Sequence, residues 1–425
     1  MLGRRTDEVR RLWNVDPDSS GMEGSKDYLR RGTPEFRRAN LALFVAGLAT
    51  FAMLYCTQPL LPVFSDAFGV TPAVASLSLS LATGTLAVAL ILAGSFSEAW
   101  GRVPMMTVSL ALSSLLMVLV ALSPGFATLL VLRAVQGVAL AGLPAVAMAY
   151  LAEEVHPEHA GFTVGLYIAG NSIGGLAGRI LSGVLTDAFS WRVALGSLGL
   201  ACVLASFAFW RTLPPSTRFR PRPLIARHLL ASLGGHLADR DLLRLYAIGA
   251  LLMGGFVALY NYIGYHLLGA PYELSQAAVG WIFVLYLVGT FSSAWMGRLA
   301  DGLGRPRVLW IGLSIMLLGV GMTLASSLGV LIAGMAVLTF GFFGAHSIAS
   351  GWVGQRALAA RAQASALYLL CYYLGSSIGG SAGGLAYSYA GWPGLVAMVA
   401  GLLILALISA AQLTLSPGTA EEDAG

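Results

Sequence analysis

Three ionisable side chains interrupt long apolar runs of this chain: Arg133, Arg179 and His346. A charge near the centre of a hydrocarbon layer costs about 3 kcal/mol or more, so each is a candidate for function. Arg133 either has a functional role at that depth or clamps the carbonyls of neighbouring segments. Arg179 comes late in its run, where it either faces a pathway or snorkels to the headgroups. A histidine titrates near neutral pH and can relay protons. His346 can equally stay neutral on a hydrogen bond to Ser347 or a carbonyl. Gln136 lies one turn from Arg133, and Tyr167, Asn171 and Gly175 share the four-residue spacing that ends at Arg179. Gln58, Tyr260, Asn261 and Tyr372 are further candidates to line a pathway. Aromatic rings there could stack on a flat or amphipathic solute; tyrosines near the ends of runs could equally be interfacial anchors. No acid sits deep in any run, so a cavity holding both arginines would be net positive and suit anionic or neutral polar solutes over bare cations.

Apolar runs of this kind number twelve, from residue 41 to residue 413, in a chain of 425 residues that is 57% hydrophobic and 11% charged. A helix needs about 20 apolar residues to cross a hydrocarbon core. The expected fold is therefore an all-α membrane protein of 12 transmembrane helices. With the N-terminus inside, all but three of the 25 Lys and Arg residues (Arg133, Arg179 and Arg192) fall in inner segments. That bias predicts both termini in the cytoplasm. The +5 net charge is then a topology signal, with no nucleic-acid partner expected, although the basic stretch before the first run could touch anionic headgroups. The polar start is too long for a secretory signal and lacks a small-residue cleavage site. The three cysteines, Cys56, Cys202 and Cys371, all lie within apolar runs. Their odd number argues against disulfides and against a metal site. The single lysine, Lys26, follows Ser25, so no phosphate-cradling G-K-[ST] loop can form; transport would have to run on gradients. No cofactor is expected, and no pair of intramembrane acids or nucleophile–base spacing points to an enzyme.

Two stretches repeat. GSFSEAWGRVP (94–104) and GRLADGLGRPR (297–307) each join the end of one run to the start of the next. They pair Gly94 with Gly297, Glu98 with Asp301, Gly101 with Gly304 and Arg102 with Arg305, an offset of 203. GNSIGG (170–175) and GSSIGG (375–380) are 205 apart, and Trp191 and Trp392 are 201 apart. A chain duplicated in this way predicts two pseudo-symmetric halves, and internal repeats are the mark of secondary transporters. The expected division is a cytoplasmic tail (1–40), a six-helix half (41–212), a basic linker (213–244), a second six-helix half (245–413) and a short cytoplasmic tail (414–425). Gly170, Gly174 and Gly178 form one helix stripe, as do Gly375, Gly379 and Gly383. Small-residue stripes are helix-contact faces.

These residues resemble the major facilitator superfamily. The loop at 94–104 is similar to that family's signature between helices 2 and 3, G-x-L-a-D-r-x-G-R-r/k, and GRLADGLGR at 297–305 matches it more fully. Leu129, Arg133, Gln136 and Gly137 resemble the helix-4 motif, and GNSIGG resembles the antiporter motif G-P-x-x-G-G, with Asn171 at the proline position. The stretch YCTQPLLPVFSDAFGV (55–70) is similar to bacterial 12-helix efflux permeases of the arabinose-efflux and acriflavine-sensitivity type. There are departures: Glu98 replaces the usual Asp, Ala99 and Val103 replace basic residues, and the first run has Tyr55, Thr57 and Gln58 where many proton-coupled exporters carry an acid.

The resemblance implies a monomeric secondary transporter of the bacterial inner membrane that works by alternating access and exports a small organic solute against protons. Uptake or exchange of an anionic metabolite is the alternative within transport, and a receptor or scaffold on the same fold is the alternative outside it. The resemblance also implies that the two glycine hinges gate the inner side. A carboxylate at Glu98 or Asp301 can face the positive N-terminal end of a neighbouring helix. With three arginines against one, the 297–307 copy is expected to hold more tightly.

Overall fold

The computed structural model describes residues 28–220, 236–357 and 361–414. The outer part of the N-terminal tail, the middle of the linker and the C-terminal tail lie outside the described residues. The remainder is helical, with one isolated bridge and no strand among the described residues.

Twelve long helices follow in order among the described residues. They are α1 (Pro34–Phe68), α2 (Pro72–Trp100), α3 (Arg102–Ala121), α4 (Phe126–Glu154), α5 (Pro157–Ala188), α6 (Trp191–Thr212), α7 (Arg240–Leu268), α8 (Gln276–Leu303), α9 (Arg305–Met322), α10 (Leu328–Arg356), and then α11 and α12 within Arg361–Thr414. Ala390 (φ −136°) and Gly391 (φ 62°) divide that last segment. Only glycine takes such a positive φ without strain, and Pro393 opens the helix that follows. Among the described residues, ten segments are long and apolar enough to cross a membrane, the last holding both α11 and α12. The segment that falls short is α5, whose 32 residues are diluted by glycine, Asn171, Ser172 and Arg179.

Two helices start earlier than their apolar runs. α1 begins at Pro34, not near 41, because the Thr33 side chain accepts from Phe36 N (3.2 Å) and Pro34 fits the first helical position. α7 begins at Arg240, not near 245, because Asp239 accepts from Asp241 N and Leu242 N. Apolar runs mark where a helix enters hydrocarbon, and capping marks where it starts. The tail residues next to α1 are also tied down: Leu29 N donates to Glu154 O (2.8 Å), and His156 N donates to Leu29 O (3.2 Å).

Packing repeats with the sequence. α1 lies on α5 as α7 lies on α11; α2 on α4 as α8 on α10; α3 on α6 as α9 on α12. The two sets of six touch through α2 with α11 and α5 with α8, a reciprocal pair. The glycine stripes make close backbone contacts within each set. Gly170, Gly174 and Gly178 press on the backbone of Phe44, Leu48 and Ala52, and Gly375 and Gly379 on Ala250 and Gly254. Gly383 sits beside Ala258 and Tyr262. A β-carbon on Gly174 would overlap the Leu48 backbone, whereas one on Gly161 of the same helix meets nothing. Gly174→Val is therefore expected to cost about 3 kcal/mol, the upper part of the overpacking range, while Gly161→Val costs close to none. Thermal unfolding of the two variants in detergent checks this.

Candidate functional site

Arg133 is fully buried on α4. Its guanidinium donates from Nε to Ser78 O (2.8 Å), from Nη1 to Met53 O (2.9 Å) and Gln136 Oε1 (2.7 Å), and from Nη2 to Leu54 O (2.7 Å). Gln136 in turn donates through Nε2 to Ser113 O (2.9 Å). Three helices, α1, α2 and α3, are thus tied to α4 by two side chains. Of the two arrangements open to Arg133, its bonds to Ser78, Met53 and Leu54 carbonyls form the clamp.

Arg179 does not snorkel. It is 3% exposed and points inward, its charged carbon 4.1 Å from the ring centre of Tyr55, 4.7 Å from Tyr286 and 5.2 Å from Phe283. Such desolvated cation–π contacts are worth up to about 2 kcal/mol. Nη1 donates to Gly175 O (2.7 Å) and Nε to Gln58 Oε1 (2.7 Å), and Gln58 Nε2 passes on to Asn261 Oδ1 (2.9 Å). This relay runs from α5 through α1 to α7 and so joins the two halves. No carboxylate pairs with Arg179 among the described residues.

Other bonds between the halves cluster around it. Tyr265 OH donates to Leu61 O (2.7 Å) and meets Ser65 Oγ (2.6 Å), Gln276 Nε2 donates to Pro59 O (2.5 Å), and Ser377 Oγ donates to Ser80 O (2.7 Å). Gly183 and Gly280 let α5 and α8 meet closely. Tyr265 is thus a bridge between halves as well as an aromatic near a helix end.

Within the second half, His346 Nδ1 lies 2.9 Å from Tyr368 OH, a partner not anticipated; Ser347 bonds to Gly344 O instead. The His346 ring is 4.6 Å from that of Tyr372. Tyr260 OH meets Thr339 Oγ1 (2.7 Å). Tyr167 and Asn171, on successive turns of α5, face Gly47 of α1.

The two glycine hinges are geometric copies. Gly101 (φ 106°) and Gly304 (φ 79°) both take positive φ. Each donates its N–H four residues back, to Ser97 O and Ala300 O, at 3.0 Å. Their charges differ. Arg102 grips Glu153 at the end of α4 (Nη2 to Oε1, 2.7 Å; Nε to Oε2, 3.2 Å). The side chains of Glu98, Asp301 and Arg305 form no hydrogen bond or ion pair among the described residues, and Asp301 is exposed. In this state the 94–104 copy is the tied one, the reverse of the expectation from arginine count. The corresponding end of α10 carries Arg356, which pairs with Asp241 (2.6 Å) at the start of α7. Gly94 and Gly297 have open space beside them.

Sequence reasoning missed Glu153, Gln276, Ser80, Ser377 and Thr339. Glu153 had a signal, an acid pair ending an apolar run. The others are small or amide residues whose partners lie far along the chain.

Two pseudo-symmetric bundles of six helices, meeting through α2/α11 and α5/α8 with buried polar residues between them, define a membrane transporter fold. The chain belongs to the Major Facilitator Superfamily, which matches residues 43–273 and 246–424. It is 51% identical over 380 residues to the uncharacterized MFS-type transporter YybF of Bacillus subtilis, covering 89% of this chain and 94% of that one. It is 47% identical over 398 residues to the inner membrane transport protein YnfM of Escherichia coli, covering 94% and 95%. The fold matches a bacterial homolog of the human lysosomal transporter Spinster, in an inward-facing and occupied conformation, with TM-score 0.73 at 17% identity over 90% and 97% of the two chains. A mutant of the nucleoside transporter NupG matches with TM-score 0.72 at 14% identity over 88% and 99%. The protein is a multi-pass membrane transporter with a small-molecule substrate.

Proposed function

We propose that the chain moves a small organic solute across a bacterial inner membrane by alternating access, exporting it in exchange for protons. The observation that carries the alternating-access reading is an asymmetry. The hydrogen bonds found between the halves lie at mid-depth and toward the end remote from Gly101 and Gly304, whereas the ion pairs at the hinge end stay within one half. One end is closed and the other is free to be open. We take the hinge end as cytoplasmic, where the basic segments lie. On closure there, Glu98 and Asp301 are available to seat against the opposite half.

In this reading Tyr167, Asn171, Tyr260, His346 and Tyr372 form the solute site once the halves part. The same reading makes His346 the proton carrier, histidine being the side-chain type whose ordinary titration lies nearest neutral pH. A second reading, exchange or uptake of an anionic metabolite, is favoured by Arg179, whose charge no carboxylate answers among the described residues.

Vesicles reconstituted with the transporter and a lumenal pH dye separate the two. Solute-dependent proton movement, lost in His346→Asn while solute binding persists, is the expected result. Flux of organic anions with no pH change would replace proton antiport by the second reading.

A further inference from the structure

We propose that the groove between the first turns of α1 and α5 binds an anionic phospholipid whose headgroup carries a hydroxyl, phosphatidylglycerol being the simplest. The glycine stripe that seats α5 on α1 ends at Gly170. The next two positions of the same stripe hold Leu166 and Phe162, whose bulk parts the helices. A cavity of about 480 Å³ opens there, walled mainly by apolar side chains. Leu41 and Phe162 at its edge are 62% and 57% exposed. On a membrane-crossing helix, apolar side chains so exposed meet acyl chains.

Charge sits at the headgroup end of this groove. Arg31 and Arg37 line it, no carboxylate does, and both arginines are exposed. Neither forms an ion pair among the described residues. Their guanidinium groups suit a phosphodiester and repel the ammonium of a zwitterionic lipid. Asn40, one turn along, narrows the choice. It is 7% exposed and lines the groove; its Nδ2 donates to Phe36 O (2.8 Å), and its Oδ1 is buried with no hydrogen-bond partner. A buried acceptor without a donor is costly. A bare phosphodiester brings no donor, whereas a headgroup glycerol brings hydroxyls.

The test is native mass spectrometry of the full-length purified protein titrated with dioleoyl phosphatidylglycerol, phosphatidylmethanol or phosphatidylethanolamine. Wild type should retain phosphatidylglycerol at least tenfold over phosphatidylethanolamine. The exposed double variant Arg31→Gln/Arg37→Gln should lose that preference without loss of fold. Asn40→Leu should erase the difference between phosphatidylglycerol and phosphatidylmethanol, which is anionic but lacks the hydroxyls. Equal retention of all three lipids by wild type, or an unchanged preference in the double arginine variant, would overturn the proposal.

Discussion

Arg133→Lys should destabilise the transporter by about 3 kcal/mol and remove transport, although it keeps the charge. The reason lies in α1. Its first helical stretch stops at Tyr55, so the carbonyls of Met53 and Leu54 fall in a last turn, where no following turn supplies an N–H. Arg133 supplies the donors, from Nη1 and Nη2 respectively, while its Nε holds Ser78 O of α2. The guanidinium reaches three carbonyls because its donors lie on a rigid planar fork. An ammonium donates from one point and can replace about one of these bonds. Each hydrogen bond to a charged group is worth about 1.5–3 kcal/mol, so losing two gives the expected magnitude. Gln136→Leu should do less, because it removes one amide bond to Ser113 O and one acceptor for Arg133. Thermal unfolding in detergent, run beside solute flux in vesicles, measures both effects. If Lys at 133 preserved stability and flux, the charge alone would be what matters, and the clamp would be wrong.

That contrast also marks how far the sequence could be read. The twelve helices followed from runs of apolar residues, because the bilayer imposes a length that hydropathy reports directly. The duplication was legible at Gly101 and Gly304 because a positive φ restricts the position to glycine in both copies. The glycine stripes of α5 and α11 were legible for a similar reason, since the close approach of Leu48 and Ala250 leaves no room for a side chain. What each charge touches was not legible. Arg179 read equally well as snorkelling outward until the rings of Tyr55, Phe283 and Tyr286, from two other helices, were seen to enclose it. Arg102 found Glu153, 51 residues on, and Gln58 found Asn261, 203 residues on. Partners at such separations are set by helix packing, which periodicity within one helix does not encode. Helix starts were misread for a different reason: Thr33 and Asp239 act through caps in polar sequence, outside the hydropathy signal.

Bridging the closed end should stop transport outright. In a background with Cys56, Cys202 and Cys371 replaced by Ala, Ser65→Cys and Tyr265→Cys would place one thiol on α1 and one on α7. The native side chains meet there at 2.6 Å. Cysteine is shorter than tyrosine, so a short bis-thiosulfonate reagent is the bridge to use. Under alternating access every cycle must part α1 from α7 at this end, so residual flux should equal the unbridged fraction, and a reducing agent should restore it. The single-cysteine variants, treated alike, should keep their flux. Tyr265→Cys by itself removes the bonds to Leu61 O and Ser65. It should therefore favour opening of this end, a bias worth about 1–3 kcal/mol for the two lost bonds. Modification of a thiol at Ser65→Cys, made in a Tyr265→Phe background, should quicken accordingly. Flux that survives complete bridging would mean that solute crosses without separating the halves here. The closed end would then be a permanent seal, and the asymmetry between the two ends would carry no information about transport.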